Sequence, residues 1–417
     1  MSHADPSRAI ASPGHSPSSA GSLQVACATV ALFLLPFPAL NFGVSFTLAD
    51  VFLITAVLLN ATQQLVRLQA FQVPFLLAVP LFVISTLLDP DGGLVELVQV
   101  LYIWGFVVPF GWVAFVSLGI RRIVLIVLAS AVTNAVVAVG QGAGYLPELG
   151  NQRIIDFGGG FSRAAGLSLK CNSLVMTLTP CLMLIPCLLR VRVRLAVLLL
   201  LIPGLLAAVS KSVVFAVPGV LWYIWHEPRR RGVMAFLCVL GLAWMIHGEA
   251  VSGIGDLWYH FSDLATKRFE RLENSLDERV ELIRISLDHA SDTLLLGFGP
   301  AGTESRISAM TNNTVHVYYL GVVLSGGIPA ALLSFTGMGL IVSGLWRHGQ
   351  RHVCLYVLSH LLALSVMTAL LDSFQVLPFV VGGAILAQAS AATVATTAAD
   401  PIRLSVLTPG YAWTPSR

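Results

Sequence analysis

The sequence concentrates its reactive side chains between residues 277 and 316. Asp277 to His289 has the pattern of an amphipathic helix, with Val280, Ile283 and Leu287 at i, i+3 and i+7. Asp277 and Glu278 fall in its first turn, where the helix dipole favours anions. Arg279 lies beside the apolar stripe. Arg284 is five residues on, roughly 140° around the axis at 3.6 residues per turn, so the two guanidinium groups do not share a face. Either both are solvated surface charges, or one of them points at a site. The helix leads into Gly297-Phe298-Gly299-Pro300, which is neither a Walker loop, since no Gly-Lys-Ser/Thr follows, nor the dinucleotide fingerprint. Thr311-Asn312-Asn313-Thr314 then offers N-caps for a helix with His316 in its first turn. Exposed N–H groups and a positive dipole end disfavour an imidazolium there, so one reading of His316 is a neutral imidazole able to accept a proton. The other is an interfacial side chain. Lys211, within Ser210-Lys211-Ser212 and between two apolar runs, is costly unless it sits at a membrane interface or pairs with an anion.

The elements that must position these residues are membrane helices. Of the 417 residues 56% are hydrophobic and 11% charged, and mean hydropathy is +0.83. Soluble domains carry about 25% charged residues, so an ordinary soluble enzyme, a disordered chain and a disulfide scaffold are excluded. The six cysteines lie in or beside apolar runs without a Cys-x-x-Cys pair, as small buried hydrophobes do. At about 20 apolar residues per span, twelve transmembrane candidates emerge, near 23–40, 45–60, 71–88, 95–118, 123–144, 166–188, 195–210, 212–225, 232–248, 316–344, 353–371 and 374–393. Gly326-Gly327-Ile328-Pro329 interrupts the tenth, and a broken helix at membrane depth usually borders a cavity.

Positive residues set the orientation. Arg67, Arg121, Arg122, Arg190, Arg192, Arg194, Arg229, Arg230, Arg231, Arg347 and Arg351 fall in alternate short loops. The intervening short loops hold only Arg153, Arg163 and Lys211, with Lys170 just inside the following span. Both termini are therefore expected in the cytoplasm. Residues 249–315, on the other face, contain 11 of the 21 acidic residues and have the charge density of a soluble protein. The expected organisation is a disordered cytoplasmic tail over 1–21, transmembrane helices 1–9 over 22–248, a loop domain with short helices over 249–315, transmembrane helices 10–12 over 316–393 and a cytoplasmic tail over 394–417. The fold class is an all-α polytopic membrane protein.

Four segments, in this order and topology, resemble the O-antigen ligase and polymerase superfamily of bacterial envelope glycosyltransferases. Arg163-Ala-Ala-Gly166 followed by Asn172 is similar to the family's Arg-x-x-Gly stretch. Val209-Ser210-Lys211-Ser212 resembles its Ser-Arg motif with Lys in place of Arg. Arg279-Val-Glu-Leu-Ile-Arg284 through Gly297-Phe-Gly299-Pro300 resembles its arginine-rich loop helix and terminal glycine turn. His316-Val-Tyr-Tyr319-Leu320 with Gly327-Ile-Pro329 is similar to its His-Asn-x-Tyr-Leu and Gly-Ile-x-Gly run, with Val317 replacing the usual Asn. Thr47-Leu-Ala-Asp50 in the second span is also family-like.

The resemblance implies a GT-C-like fold in the bacterial inner membrane, with the loop and active site on the periplasmic face. It also implies a donor glycan on undecaprenyl diphosphate. The acceptor is a sugar hydroxyl, on lipid A core for a ligase or on a growing polysaccharide for a polymerase, including exopolysaccharide polymerases. Beyond the bilayer and these two substrates no partner is implied, nucleic acid included. In that scheme His316 activates the hydroxyl and Arg279 holds the diphosphate. Lys211, Arg163, Arg284 and Tyr319 are further diphosphate or substrate contacts. Transfer is inverting and independent of metal or cofactor. Two other classes share the topology. A secondary transporter or lipid-linked sugar flippase would show two similar halves with matched interruptions, and none is seen between 23–188 and 195–393. A non-enzymatic assembly factor would not need His316 and Arg279 in the family's register.

The loop arginines yield a direct test of topology. A reporter active only outside the cytoplasm is expected to be active when fused after residue 265 and silent after residue 230. The reverse pattern overturns the orientation.

Overall fold

The computed structural model describes residues 19–37, 46–63, 68–89, 93–142, 144–147, 164–168, 170–188, 190–208, 215–226, 284, 288, 295–303, 305, 318–365 and 373–399. The architecture is helical, and the described residues contain no β-strand. In chain order the helices are α1 (Ser19–Leu34), α2 (Leu48–Gln63), α3 (Gln72–Leu88), α4 (Leu94–Leu118) and α5 (Ile120–Gly142). There follow α6 (Cys171–Cys187), α7 (Val191–Ala207), α8 (Val217–His226), α9 (Tyr318–Arg347), α10 (Arg351–Leu364) and α11 (Ser373–Ala399). They fall in eleven of the twelve candidate segments, and the remaining candidate, 232–248, lies outside the described residues. Length and composition suffice for membrane crossing in four: α4, α5, α9 and the Gln375–Thr393 stretch of α11. Shorter apolar helices, among them α2, α3, α6 and α10, have 10–17 residues; at 1.5 Å per residue the longest of these reaches about 25 Å.

Some large aliphatic side chains face outward, and alanines are frequent among the buried residues. Leu58, Leu77, Leu87, Leu199, Leu206 and Leu332 are each more than half exposed, whereas Ala28, Ala31, Ala56, Ala78, Ala131 and Ala135 are fully buried. Where lipid is as apolar as leucine, close backbone approach rather than apolar burial drives helix association. Antiparallel α3 and α9 are packed this way. A Cβ at Gly337 would sit 2.7 Å from the Phe75 ring, and one at Gly326 would sit 2.5 Å from the Phe82 ring. Phe82 also stacks on Trp104 of α4, centroid to centroid at 4.6 Å. The same logic joins α7 to α5, where a Cβ at Gly204 would meet Ala135 at 2.5 Å.

Two interruptions shape the bundle. Pro109 has no N–H to give the Gly105 carbonyl, and the single span expected over 95–118 instead winds as α-helix, then a π-helical stretch over Leu101–Val107, then a 3₁₀ stretch over Gly111–Leu118. The Pro109 carbonyl accepts from Gln72 Nε2 at 2.7 Å and Trp112 Nε1 at 2.8 Å. In α9 the expected break is present: Gly327 is non-helical, at φ 80° and ψ 172°. The segment 295–298 fills the break, and the freed Leu324 carbonyl accepts from Phe298 N at 2.7 Å.

The packing also sorts the helix ends. The hairpins α3–α4 and α9–α10 and the turn from α4 into α5 place Arg121, Arg122, Arg190, Arg192, Arg194, Arg347 and Arg351 at one end. The opposite end collects Asp89, the 164–168 turn, the end of α7, the 295–303 turn and the start of α9.

Gly327 carries the clearest stability expectation. Its φ suits glycine, and a Cβ there would lie 2.7 Å from the Leu295 carbonyl oxygen. Gly327→Ala is expected to cost about 1–3 kcal/mol and to lower the detergent-solubilised melting temperature. Gly339→Ala, at a helical position of α9 with open space around it, is expected to be neutral or stabilising by up to about 1 kcal/mol.

Candidate functional site at the loop end of the bundle

The loop end is organised by polar side chains that apolar spans rarely contain. Asn134 and Gln141 lie seven residues apart on α5, two turns and so on one face, and are 0% and 1% exposed. Both grip the turn that follows Arg163. Gln141 Oε1 accepts from Gly166 N at 2.8 Å, while Gln141 Nε2 donates to Gly166 O at 3.0 Å. Asn134 Oδ1 accepts from Leu167 N at 2.7 Å, and Asn134 Nδ2 donates to Ser168 Oγ at 3.1 Å. A primary amide is suited to this because it donates and accepts at once. Gly166 has φ 62°, and a Cβ on it would overlap Asn134 Oδ1 at 2.2 Å, so glycine is required on both counts.

The same turn is bonded to the end of α7: Ala164 N donates to Ala207 O at 3.0 Å. Arg163 directly precedes Ala164, and Lys211 follows Ala207 by four residues. Two cationic motifs distant in sequence therefore flank one backbone contact.

A second contact fastens the segment 297–303 to the bundle. Gly297 N donates to Ser85 Oγ at 3.1 Å and Gly302 N to Asp89 Oδ2 at 2.6 Å. Thr303 Oγ1 donates to Gly299 O at 2.7 Å and accepts from Ser325 Oγ at 3.2 Å. A third polar group caps α2: buried Asp50 Oδ2 accepts from Thr47 N at 2.6 Å and Thr47 Oγ1 at 2.7 Å, in the manner of a capping box. Its Oδ1 accepts from Tyr102 OH at 2.6 Å.

Of the six residues expected at the site, two are described. Arg284 is helical and exposed. Tyr319 donates its hydroxyl to the Leu361 carbonyl, joining α9 to α10, and its ring meets Phe335 and Tyr318 edge-on. Arg163, Lys211, Arg279 and His316 lie outside the described residues; Arg163 and Lys211 adjoin the contact above, and His316 precedes Tyr318 by two positions. Sequence reading passed over Asn134, Gln141 and Asp89. The signal for the first pair was present, since two amides on one face of an apolar span require partners. Among the described residues no group of three or more His, Cys, Asp or Glu converges as a metal-ligand set. No protein-family model matches this chain, and no curated protein matches it.

The Gln141 pairing can be tested by removing one function at a time. Gln141→Leu removes both hydrogen bonds to Gly166, an expected loss of about 1–3 kcal/mol. Gln141→Glu keeps the acceptor and is expected to lose less. Thermal denaturation of the purified variants measures both, and equal stability of Gln141→Leu and wild type would show that the amide pairing is idle.

Proposed function

We propose that this protein transfers a glycan from undecaprenyl diphosphate to a sugar hydroxyl, at the periplasmic face of a bacterial inner membrane, as an O-antigen ligase or a polysaccharide polymerase does. The observation that carries this reading is the Ala164–Ala207 hydrogen bond. It joins the segment after Arg163 to the segment before Lys211 at the end of the bundle where the outer loop returns and α9 begins. A diphosphate leaving group needs several cations converging from different parts of the chain, and a hydroxyl nucleophile needs a base beside them. The described neighbours of Arg163, Lys211 and His316, which are Ala164, Ala208 and Tyr318, lie at this end and support the reading.

In this mechanism the acceptor hydroxyl attacks the anomeric carbon of the donor sugar and its proton passes to His316. The bond from that carbon to the phosphate oxygen breaks, and undecaprenyl diphosphate departs. Attack opposite the leaving group inverts the anomeric centre. Arg279, Arg163 and Lys211 stabilise the charge that grows on the diphosphate oxygens. The cations hold the donor and the imidazole moves the proton, so the two tasks are separable by mutation.

A purified lipid-linked donor and acceptor assay tests the reading. His316→Ala is expected to lose transfer by roughly 10²–10⁴-fold with donor binding retained, and the wild-type rate to fall at acidic pH because an imidazolium accepts no proton. Arg279→Ala is expected to abolish transfer with little effect on folding, since exposed charges contribute about 1 kcal/mol or less. Arg284→Ala is expected to be milder, and Lys211→Arg tolerated, because a guanidinium binds phosphate bidentately. Alanine at His247, His260 or His289 is the control and should retain activity. A wild-type rate in His316→Ala, or an equal loss in His289→Ala, removes the base from the mechanism.

A further inference from the structure

The 295–303 segment, a bend that runs into helical residues at 299–303, is the part of the outer loop whose contacts to the bundle are described, and it stands midway in the chain between Arg284 and His316. It is specified from both sides. A Cβ at Gly297 would lie 2.2 Å from the Ser325 backbone, and one at Gly302 would lie 2.5 Å from Asp89 Oδ1. Only a turn without side chains at these positions lets α3 and the break of α9 approach together. The bundle supplies the matching groups: Ser85 and Asp89, one turn apart at the end of α3, and the Leu324 carbonyl freed by Gly327. Asp89 is 7% exposed, and its 2.6 Å bond from Gly302 N has the short length of a charge-assisted contact.

We propose that Asp89 is a positioning residue for the transfer reaction: by holding the 297–303 turn in the break of α9, it fixes the loop that carries Arg279 and Arg284 before the turn and leads to His316 after it. This rests on the glycosyltransferase reading. Asp89 touches no reacting atom in the proposal; it acts through the loop backbone. Loss of the carboxylate frees the turn, misplaces the groups on either side of it and slows the chemical step more than it weakens donor binding.

The test uses the full-length protein in lipid nanodiscs. Asp89→Ala is expected to lower kcat roughly 10- to 100-fold, the scale of a displacement near 1 Å, with donor Kd, measured directly, changed less than about threefold. Asp89→Asn, which keeps an acceptor oxygen, is expected to recover most of the rate. Thr303 Oγ1 and Ser325 Oγ are 3.2 Å apart, so cysteines at both positions come within disulfide reach. In the Asp89→Ala, Thr303→Cys, Ser325→Cys protein, oxidation is expected to restore kcat and reduction to remove it again; Asp89→Ala alone and the cysteine pair alone control for the oxidant. In parallel, limited proteolysis of the 249–315 loop without donor is expected to quicken in Asp89→Ala and to slow again on cross-linking. Wild-type kcat in Asp89→Ala, a cross-link that fails to form, a cross-link that forms without restoring kcat, or unchanged proteolysis overturns the proposal. Absence of transfer in the wild type overturns the glycosyltransferase reading and this role with it, while proteolysis still reports whether the anchoring exists.

Discussion

Every departure from regular helix in this bundle has to find hydrogen bonds inside the protein. Water is not available at membrane depth, and an unmet N–H or C=O costs several kcal/mol. The rest of the architecture follows from that constraint. Pro109 breaks the ladder of α4, and its carbonyl is met by Gln72 and Trp112. Gly327 breaks α9, and the freed carbonyl of Leu324 is met by the loop at Phe298. The non-helical turn at Gly166 is met on both edges by Gln141 and alongside by Asn134. At α10, His360 Nε2 meets the Gln375 carbonyl of α11 at 2.5 Å. Gln72, Asn134, Gln141 and His360 each serve a backbone group in this way.

Two of these departures, at Gly166 and Gly327, lie at the same end. The opposite end holds the described arginines of the short connections. The Asp89 end is thus clamped at Gly166 and Gly327, while the arginine end carries the short connections and the Pro109 interruption. Under the proposed function a lipid-linked donor presents its diphosphate at the membrane surface, which calls for a site at one end of the bundle with cations supplied by connections and not by helix interiors, where unpaired charge is expensive.

Much of the helical framework was legible in composition, because runs of about twenty apolar residues admit few alternatives. Gly326-Gly327 also announced its break. Less legible was what fills that break. Nothing local in Gly297-Phe298-Gly299-Pro300 says that its partners are Ser85 and Asp89, more than two hundred residues earlier; that pairing is a tertiary fact. The span ending at 118 read as one helix because Pro109 alone does not say whether a helix kinks, widens to a π-turn or tightens to 3₁₀. At the site, sequence reading favoured charged residues, whose chemistry is conspicuous, and passed over Asn134 and Gln141, whose role is to hold backbone. Tyr319, expected among the substrate contacts, gives its hydroxyl to Leu361 and joins two helices.

The choice of clamp at each place is itself informative. The segment next to Arg163, bonded in turn to the one that leads to Lys211, is held by two neutral amides, whereas the carboxylate of Asp89 is given to a turn, Leu295 to Thr303, that contains no cation. A carboxylate in place of Gln141 would hold the Gly166 N–H as well, but under the proposed function it would also set a negative charge beside the segment that follows Arg163 and oppose an incoming anion. Amides hold backbone without consuming charge. A carboxylate near an anionic substrate must instead be discharged locally, and a short bond from a backbone N–H does this. The division fits the proposed site, in which the cations are kept for a diphosphate and Asp89 is used as a fastener. It also separates two kinds of failure: loss of an amide clamp disturbs the bundle, and loss of the carboxylate disturbs the loop.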